Sequence, residues 1–221
     1  MMKTLTDTST LSIESNDDIQ LACEYLAKRD KIISGLVKTL GIVELPHRDH
    51  KSLFSSLCEA IIHQQLNGKA ALAIHTRFNL LFSEKNKAPR PDQVLSASDQ
   101  ELRSAGLSSA KVLALRDLSQ KVLIKEIPTL NQASRMTNEE IIESLVKVHG
   151  IGRWSAQMFL IFTLRRSDVL PIDDFGVKKG YSIAYNNNTM PTPLELLECG
   201  QKWTPYSTVA SLYLWRVANL A

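Results

Sequence analysis

Residues 147–154 read KVHGIGRW, and the rest of the chain is organised around this short polar segment. Residues 137–148 are predicted to be a helix, because a threonine can cap its start and apolar residues recur at helical spacing. A second helix is predicted to begin near Arg153. Gly150 and Gly152 lie between the two helices, where glycine can adopt backbone conformations that other residues avoid. The segment therefore predicts a tight turn, or hairpin, between two helices.

The first amide N–H groups after this turn should point outward with a partial positive charge, which suits a phosphate group. The alternative is an ordinary corner between helices, because glycines end many helices. Lys147 and Arg153 flank the turn, Lys178 follows a later pair of aspartates, and Lys69 follows another turn. Each alone is typical of solvated surface charge. As a set beside the hairpin, they favour contacts with a DNA backbone.

The composition is that of a globular protein of 221 residues, with 44% apolar residues and a net charge of +3. No apolar run approaches the roughly 20 residues needed to span a bilayer, and the N-terminus lacks the apolar stretch of a signal peptide. Cys23, Cys58 and Cys199 lack metal-ligand spacing, which predicts free thiols in a reducing compartment. We therefore expect an intracellular protein, in the cytoplasm or nucleoid of a bacterium or the nucleus of a eukaryote.

Helical periodicity recurs along most of the chain. Residues 1–15 are instead rich in Ser, Thr and Asp and are predicted to be a disordered tail. No segment shows the alternation of a strand or an Asn-Gly or Asp-Gly hairpin signal. The sequence therefore predicts an all-α fold.

Asp173 and Asp174 follow Pro171 at the predicted start of a helix. An Asp at such a position is usually an N-cap, but two adjacent aspartates leave one to spare. If Asp173 caps the helix, Asp174 in its first turn can project into a cleft. A carboxylate placed there would stabilise a developing cation or orient a water molecule.

Two tryptophans and one amide-rich turn are further candidates for contacts with nucleic acid. Trp154 opens the helix after the hairpin, and Trp203 precedes the last helix. Core packing is the usual role of Trp, but both positions also suit stacking on a base. Residues 63–67, HQQLN, are either a polar helix end or a wedge. In the second case Gln65 fills the gap left by an extruded nucleotide, and Asn67 touches the minor groove.

Three motifs in this order resemble the helix-hairpin-helix DNA glycosylase superfamily, most closely its alkylpurine (3-methyladenine type) branch. They are the hairpin with Pro171 and Asp174 downstream, QQLNGKAA at 64–71, and WTPYSTVA at 203–210 with YLW at 213–215. The likeness spans about residues 53–215. It implies a single unit over residues 16–221, with two helical lobes around a cleft that holds a flipped base. The lobes would be about 60–165, and about 16–59 plus 166–221.

The resemblance also implies a role for individual residues. Asp174 matches the catalytic aspartate, and Gln65 matches the intercalating residue, with His63 and Asn67 beside it at the minor groove. The positions that match the base pocket are Trp154, Trp203, Tyr206, Phe175 and Met158. The positions that match DNA-backbone contacts are Gly150, Gly152, Arg153, Lys147, Lys69 and Lys178.

Trp154 stands where lyase-type relatives carry a Schiff-base lysine, and an indole cannot form an imine. The resemblance therefore implies a monofunctional enzyme that hydrolyses the N-glycosidic bond of alkylated purines in double-stranded DNA. It also implies a monomer that requires no cofactor. A Na⁺ or K⁺ at the hairpin would be held by the backbone carbonyls of Val148 and Ile151.

The sequence departs from this family's pattern at two positions. His149 stands where relatives often have Pro, and Ser207 stands where many have Arg. Two alternatives stay open: a non-catalytic module that binds DNA lesions, which Ser207 makes conceivable, and a bifunctional glycosylase/lyase for oxidised bases. The second is opposed by Trp154 and by the missing cysteines of an iron–sulfur cluster.

Overall fold

The computed structural model describes residues 10–46, 52–83, 85 and 87–220. Within these residues thirteen α-helices form, and the only extended pairing is a single antiparallel bridge between Ser12 and Arg166. The prediction of an all-α fold is confirmed. The helices are α1 (Asn16–Arg29), α2 (Lys31–Leu40), α3 (Leu53–His63), α4 (Gly68–Leu80), α5 (Pro91–Ser96), α6 (Asp99–Ser104), α7 (Ser109–Leu123), α8 (Leu130–Ala133), α9 (Asn138–Leu145), α10 (Arg153–Phe162), α11 (Phe175–Ala184), α12 (Pro193–Gly200) and α13 (Ser207–Leu220).

Two compact units make up the chain. Unit 1 comprises Met1–Arg48 and Leu160–Ala221, and unit 2 comprises Asp49–Phe159. The lobe boundaries expected from the sequence, at about 60 and 165, lie later in the chain than these. The first differs because α3 packs on α4 and α7 and so belongs wholly to unit 2.

Unit 2 is built around α7, against which α3, α5 and α6 pack. Leu115 and Leu118 of α7 are fully buried, and so are Ile61 and Ile62 at the end of α3. Burying such apolar side chains is the main favourable term in folding. Helix α7 therefore supports the end of α3, and its Asp117 reaches the turn that follows α9.

Unit 1 contains a close contact between α11 and α13. A Cβ added at Gly180 of α11 would lie only 1.9 Å from the carbonyl oxygen of Leu214 in α13. Only glycine lets the two backbones approach to this distance. The contact brings α13 close enough to α11 for Trp215 to reach the start of that helix.

The predicted disordered tail is wrong for residues 10–15, whereas residues 1–9 lie outside the described part of the chain. Ile13 is 1% exposed, and its N–H donates to the carbonyl oxygen of Arg165 at 2.8 Å. The Arg165 guanidinium in turn donates to the carbonyls of Ile13, at 2.6 Å, and of Leu45 and Pro46. A buried isoleucine and an arginine clamp therefore order this segment.

All three cysteines are free thiols, as predicted. Burial raises the pKa of the Cys58 thiol well above its usual range, which makes this group unreactive. Among the residues that the structure describes, no helix is long and apolar enough to cross a membrane.

Asp30 is a buried carboxylate that ties several parts of unit 1 together. It is 3% exposed, and its Oδ1 accepts from the first backbone N–H groups of α2. Its Oδ2 accepts from Trp203 Nε1 at 2.9 Å, from Lys202 Nζ at 3.0 Å and from the Tyr185 hydroxyl. Burial acts to raise the pKa of Asp30, but these donors outweigh it and the pKa is lowered. The carboxylate is therefore fully satisfied although it is buried.

Replacing Asp30 by Asn should lower the free energy of unfolding by about 1–3 kcal/mol at pH 7, because the Trp203 and Tyr185 donors then lose a charged acceptor. A carboxyl group whose pKa is lower in the folded state stabilises the protein above its unfolded pKa. That contribution is lost as the pH falls through the folded pKa. The stability of the wild type should therefore fall more steeply below about pH 4 than that of Asp30→Asn. Urea titrations over this range measure both effects.

Asp18→Asn is the matched control for this experiment. The pKa of Asp18 is also lowered, by hydrogen bonds from Ser15 at the start of α1, but Asp18 lies at the protein surface. We expect a smaller loss of stability for it. Equal losses for the two variants would contradict the role assigned to burial.

Candidate functional site

The predicted hairpin between α9 and α10 closes through one glycine with a positive φ. The Ile151 N–H donates to the Val148 carbonyl at 3.0 Å, and Gly150 between them has φ 78°. Gly152 has no such dihedral, and a Cβ added to it would meet no atom within 4 Å. The expectation of an unusual backbone conformation therefore holds for Gly150 and is wrong for Gly152. Gly152 leaves bare, exposed backbone at the start of α10.

Helix α7 holds the hairpin from below. Asp117 Oδ2 accepts from the His149 backbone N–H at 2.7 Å, and Asp117 Oδ1 accepts from Lys121 Nζ. Burial acts to raise the pKa of Asp117, but these donors outweigh it and the pKa is lowered. A Cβ on Gly150 would lie 3.4 Å from the Cβ of Ala114. The hairpin is thus fixed by a carboxylate and by close packing.

The cationic residues predicted to contact the DNA backbone are at the surface or partly exposed. Lys147 and Lys69 are exposed, and Lys178 is half-buried. Arg153 forms a two-pronged ion pair with Glu139, with both distances at 2.7 Å, and this pairing lowers the pKa of Glu139. Exposed pairs of this kind contribute little to stability. Arg153 can therefore exchange Glu139 for a phosphate at small cost.

The Val148 and Ile151 carbonyls were predicted to hold a monovalent cation, and this stays a prediction. The Val148 carbonyl accepts one hydrogen bond, from Ile151, and a carbonyl oxygen has two lone pairs. Oxygen donors of this kind suit hard cations. In the described part of the chain, no group of three or more His, Cys, Asp or Glu residues can hold a metal ion.

The turn between α3 and α4 presents Gln65 to solvent with φ 56°. Asn67 is the N-cap of α4, and its Oδ1 accepts from the Ala70 N–H at 2.9 Å. His63 is half-buried, with its ring edge-on to that of His75 at 5.9 Å. The cap uses the carbonyl oxygen of Asn67, and the contacts of His63, Gln65 and Asn67 with DNA stay predictions.

Asp174, rather than Asp173, is the N-cap of α11. Its N–H donates to the Pro171 carbonyl at 3.0 Å, and this turn places Asp174 at the helix start. Asp174 Oδ1 accepts from the Val177 N–H at 2.7 Å and from Trp215 Nε1 at 2.8 Å. Asp174 is 9% exposed, whereas Asp173 is exposed. The arrangement in which Asp173 caps the helix and Asp174 lies in its first turn is therefore not the one found, because Asp174 both caps α11 and carries the nearly buried carboxylate.

Trp215 of α13 is a site residue to which sequence reasoning assigned no role. Its indole donates to Asp174 and stacks on Phe162, with ring centroids 6.0 Å apart and planes 23° apart. A Cβ on Gly176 would lie 2.8 Å from Trp215 Cδ1 and 3.2 Å from Asp174 Oδ1. Gly176 therefore makes room for this contact. The motif YLW at 213–215 could have indicated this role. A Trp in an apolar helix, however, is usually part of the hydrophobic core.

Two other residues predicted to line the base pocket, Trp203 and Tyr206, make contacts within unit 1. Trp203 is 0% exposed and donates to Asp30, so its predicted stacking on a base is wrong. Tyr206 packs edge-on against Tyr25, with centroids 5.1 Å apart. It directly precedes α13, nine residues before Trp215. A place for Tyr206 in a base pocket stays a prediction.

Three predicted pocket residues do present surface. Phe175 is 65% exposed at the start of α11, directly after Asp174. In unit 2, Trp154 is 46% exposed and Met158 is partly exposed. The last two stand four residues apart on α10 and so share one face of that helix. These positions stay predictions of contact with a base.

Ser207, which departs from the family pattern, has a structural partner. It is 4% exposed, and its hydroxyl and N–H both donate to Asp168 Oδ1. The side chain is therefore used within unit 1, at the start of α13.

Comparison with known proteins identifies the family. Residues 58–205 match the family described as "HhH-GPD superfamily base excision DNA repair protein". The chain belongs to this superfamily. Its all-α fold, the hairpin and the capped Asp174 are thus features of a DNA repair protein.

The most informative relatives match nearly their whole length. DNA-3-methyladenine glycosylase 1 of Schizosaccharomyces pombe is 34% identical over 218 residues, which cover 96% of this chain and 95% of that protein. Alkylbase DNA glycosidase-like protein mag2 of the same organism is 30% identical, covering 94% and 98%. The solved structure of S. pombe 3-methyladenine DNA glycosylase (Mag1) in complex with abasic DNA has a TM-score of 0.81 at 34% identity. It covers 91% of this chain and 98% of that one.

The two hairpin glycines should respond differently to alanine. Gly150→Ala should destabilise unit 2 by about 1–2 kcal/mol, because a Cβ is strained at positive φ, and should weaken DNA binding through the distorted turn. Gly152→Ala should leave stability nearly unchanged but still weaken binding, because its Cβ enters the space beside the exposed amides. Urea unfolding and anisotropy with a DNA duplex measure the two quantities. Unchanged DNA affinity in Gly152→Ala would show that phosphate does not approach this backbone.

Proposed function

We propose that this chain is a monomeric, monofunctional DNA glycosylase that excises alkylated purines, of the 3-methyladenine and 7-methylguanine type, from double-stranded DNA. The observation that carries the proposal is the Asp174 carboxylate. It is 9% exposed and is fixed by the Val177 N–H and the Trp215 indole. The relative that is 34% identical over almost the whole chain, named DNA-3-methyladenine glycosylase 1, supports the substrate class.

The proposed chemistry requires one anion and no strong general acid. Alkylation at N3 or N7 makes the purine cationic, so the base is already a good leaving group. As the N-glycosidic bond breaks, positive charge develops on the sugar. Asp174 stabilises this charge or orients the attacking water, and its effect is large because the group is held in place before the reaction.

Aromatic side chains recognise the cationic base in this proposal. Trp215 and Phe162 form a stacked pair beside Asp174, and Trp154 offers a partly exposed indole in unit 2. A positively charged base is attracted to such rings by cation–π interaction worth roughly 1–2 kcal/mol. Because an indole at position 154 cannot form an imine, the sugar–phosphate backbone stays intact.

The hairpin and the Gln65 turn supply the contacts with DNA. The N–H groups at the start of α10 bind a phosphate, and Gln65 fills the gap left by the flipped nucleotide. The Val148 and Ile151 carbonyls would hold a Na⁺ or K⁺, which adds positive charge beside the phosphate. The alternative of a non-catalytic lesion-binding module makes the same contacts but releases no base, and base release therefore separates the two.

Asp174→Asn should lower single-turnover release of 3-methyladenine from methylated DNA by at least about a hundredfold. Asparagine caps helices as well as aspartate does, and its carbonyl can still accept from Val177 and Trp215. The variant should therefore fold and bind abasic DNA normally. Asp173→Asn removes the same charge one residue earlier, at an exposed position, and should release base at the wild-type rate. Retained turnover in Asp174→Asn would refute its role.

Gly176→Ala should slow base release by about tenfold or more, because its Cβ would push Trp215 away from Asp174 and small displacements at a reacting centre are costly. Gly35→Ala is the control, since a Cβ there meets nothing within 4 Å in another helix of unit 1. It should leave base release unchanged and stability equal or slightly higher. Equal rates in the two variants would show that the contact between Trp215 and Asp174 does not matter for catalysis.

A further inference from the structure

A lysine of α7 closes the end of α3, directly before the proposed intercalating residue. Lys111 Nζ donates to the carbonyl oxygen of Ile62 at 2.5 Å and to that of Gln64 at 3.0 Å. Carbonyls at a helix end have no partner within the helix. Burial lowers the pKa of Lys111, as expected for an ammonium group that has exchanged water for protein carbonyls.

The residue that follows these carbonyls has a strained backbone. Leu66 N–H lies 3.4 Å from the His63 carbonyl, and Gln65 with φ 56° occupies the third position of this turn. That position favours Gly or Asn, because a Cβ is unfavourable at positive φ. Such a conformation persists only where surrounding bonds hold it. Gln65 has its side chain exposed, so its neighbours must supply those bonds.

Gln64 supplies a second constraint, because it joins this turn to the hairpin. Its Nε2 donates to the Gly150 carbonyl at 3.0 Å and to Ser155 Oγ at 3.2 Å. Gln64 is thus held by two groups. Lys111 binds its backbone carbonyl, and the hairpin accepts from its side-chain amide.

One face of α7 therefore carries both DNA-contacting turns. Lys111, Ala114 and Asp117 recur every three residues, so they lie along one side of the helix. The first binds the Gln65 turn, the second packs beneath Gly150, and the third accepts from His149. Two turns that are remote in sequence share a single rigid support.

We propose that Lys111 and Gln64 are positioning residues that hold the Gln65 turn in the conformation required for insertion into the DNA stack. The proposal rests on the intercalating role of Gln65 in the proposed function. Lys111 and Gln64 need not touch DNA, since they act through the backbone of Gln65. They hold the turn in its bound conformation before DNA arrives. Insertion then does not have to order the turn.

The test is a double-mutant cycle between Lys111→Met and Gln65→Ala. Methionine keeps the length of the side chain and removes its three donors. The readout is fluorescence anisotropy with two DNA duplexes, one that contains a tetrahydrofuran abasic analogue and one that is undamaged. Affinity for undamaged DNA requires no insertion, so the ratio of the two affinities reports on insertion alone.

Each single variant should lower the affinity ratio by about tenfold, equivalent to ~1.4 kcal/mol, and the double variant should lower it no further. Lys111→Arg should restore most of the ratio, because a guanidinium can still donate to both carbonyls. Gln64→Met should reproduce the loss and serves as the second variant should Lys111→Met fail to fold. Lys38→Met removes one exposed positive charge from unit 1 and should leave the ratio unchanged.

A purely structural lysine cap gives a different pattern. Lys111→Met would then lower thermal stability but leave the affinity ratio unchanged, or its effect would add to that of Gln65→Ala. Either result overturns the proposal. Binding to the abasic analogue involves no base release, so a wild-type protein that releases no base would refute the proposed activity and leave this comparison valid.

Discussion

The close approach of α11 and α13 is the constraint on which the candidate site around Asp174 depends. At Gly180 the backbones are so near that a methyl group would overlap the Leu214 carbonyl. One turn earlier in α11, Gly176 leaves the gap through which the Trp215 indole reaches Asp174. A carboxylate fixed by a helix N-terminus and an indole requires both glycines, because a longer distance between the helices would break the second bond. The contact between α11 and α13 therefore sets both the packing of the two helices and the hydrogen bond between Trp215 and Asp174.

Local patterns in the sequence predicted the fold and much of the site. Helical periodicity and a glycine between two helices correctly indicated an all-α chain and the turn at Gly150, because both signals are local. The motif that contains Asp174 pointed to a carboxylate that the structure places at a helix start, nearly buried. The strain at Gln65 could not be predicted, since glutamine is not a residue that signals a positive φ. It arises from bonds made by Lys111 and by the hairpin, 47 and 86 residues from Gln64.

The errors have a common physical origin in tertiary partners. Trp203 was predicted to stack on a base because it precedes the last helix, yet its indole donates to Asp30, 173 residues away. Asp30 is the N-cap of α2, and only the folded chain shows that its second oxygen also binds Tyr185, 155 residues away. For the aspartate pair, the choice between Asp173 and Asp174 depended on one turn hydrogen bond to Pro171. Spacing in the sequence does not encode that bond.

The two departures from the family pattern are explained by bonds of the same kind. A proline at position 149 would have no N–H, whereas His149 donates its N–H to Asp117 and so gains an anchor on α7. At position 207 a serine donates to Asp168 from its hydroxyl and its backbone, which fixes the start of α13. Since α13 also carries Trp215, the bond at its first residue helps to set the helix that orients Asp174. At both positions a group of this chain is thus used in a hydrogen bond inside one unit, at the hairpin in one case and at the start of α13 in the other.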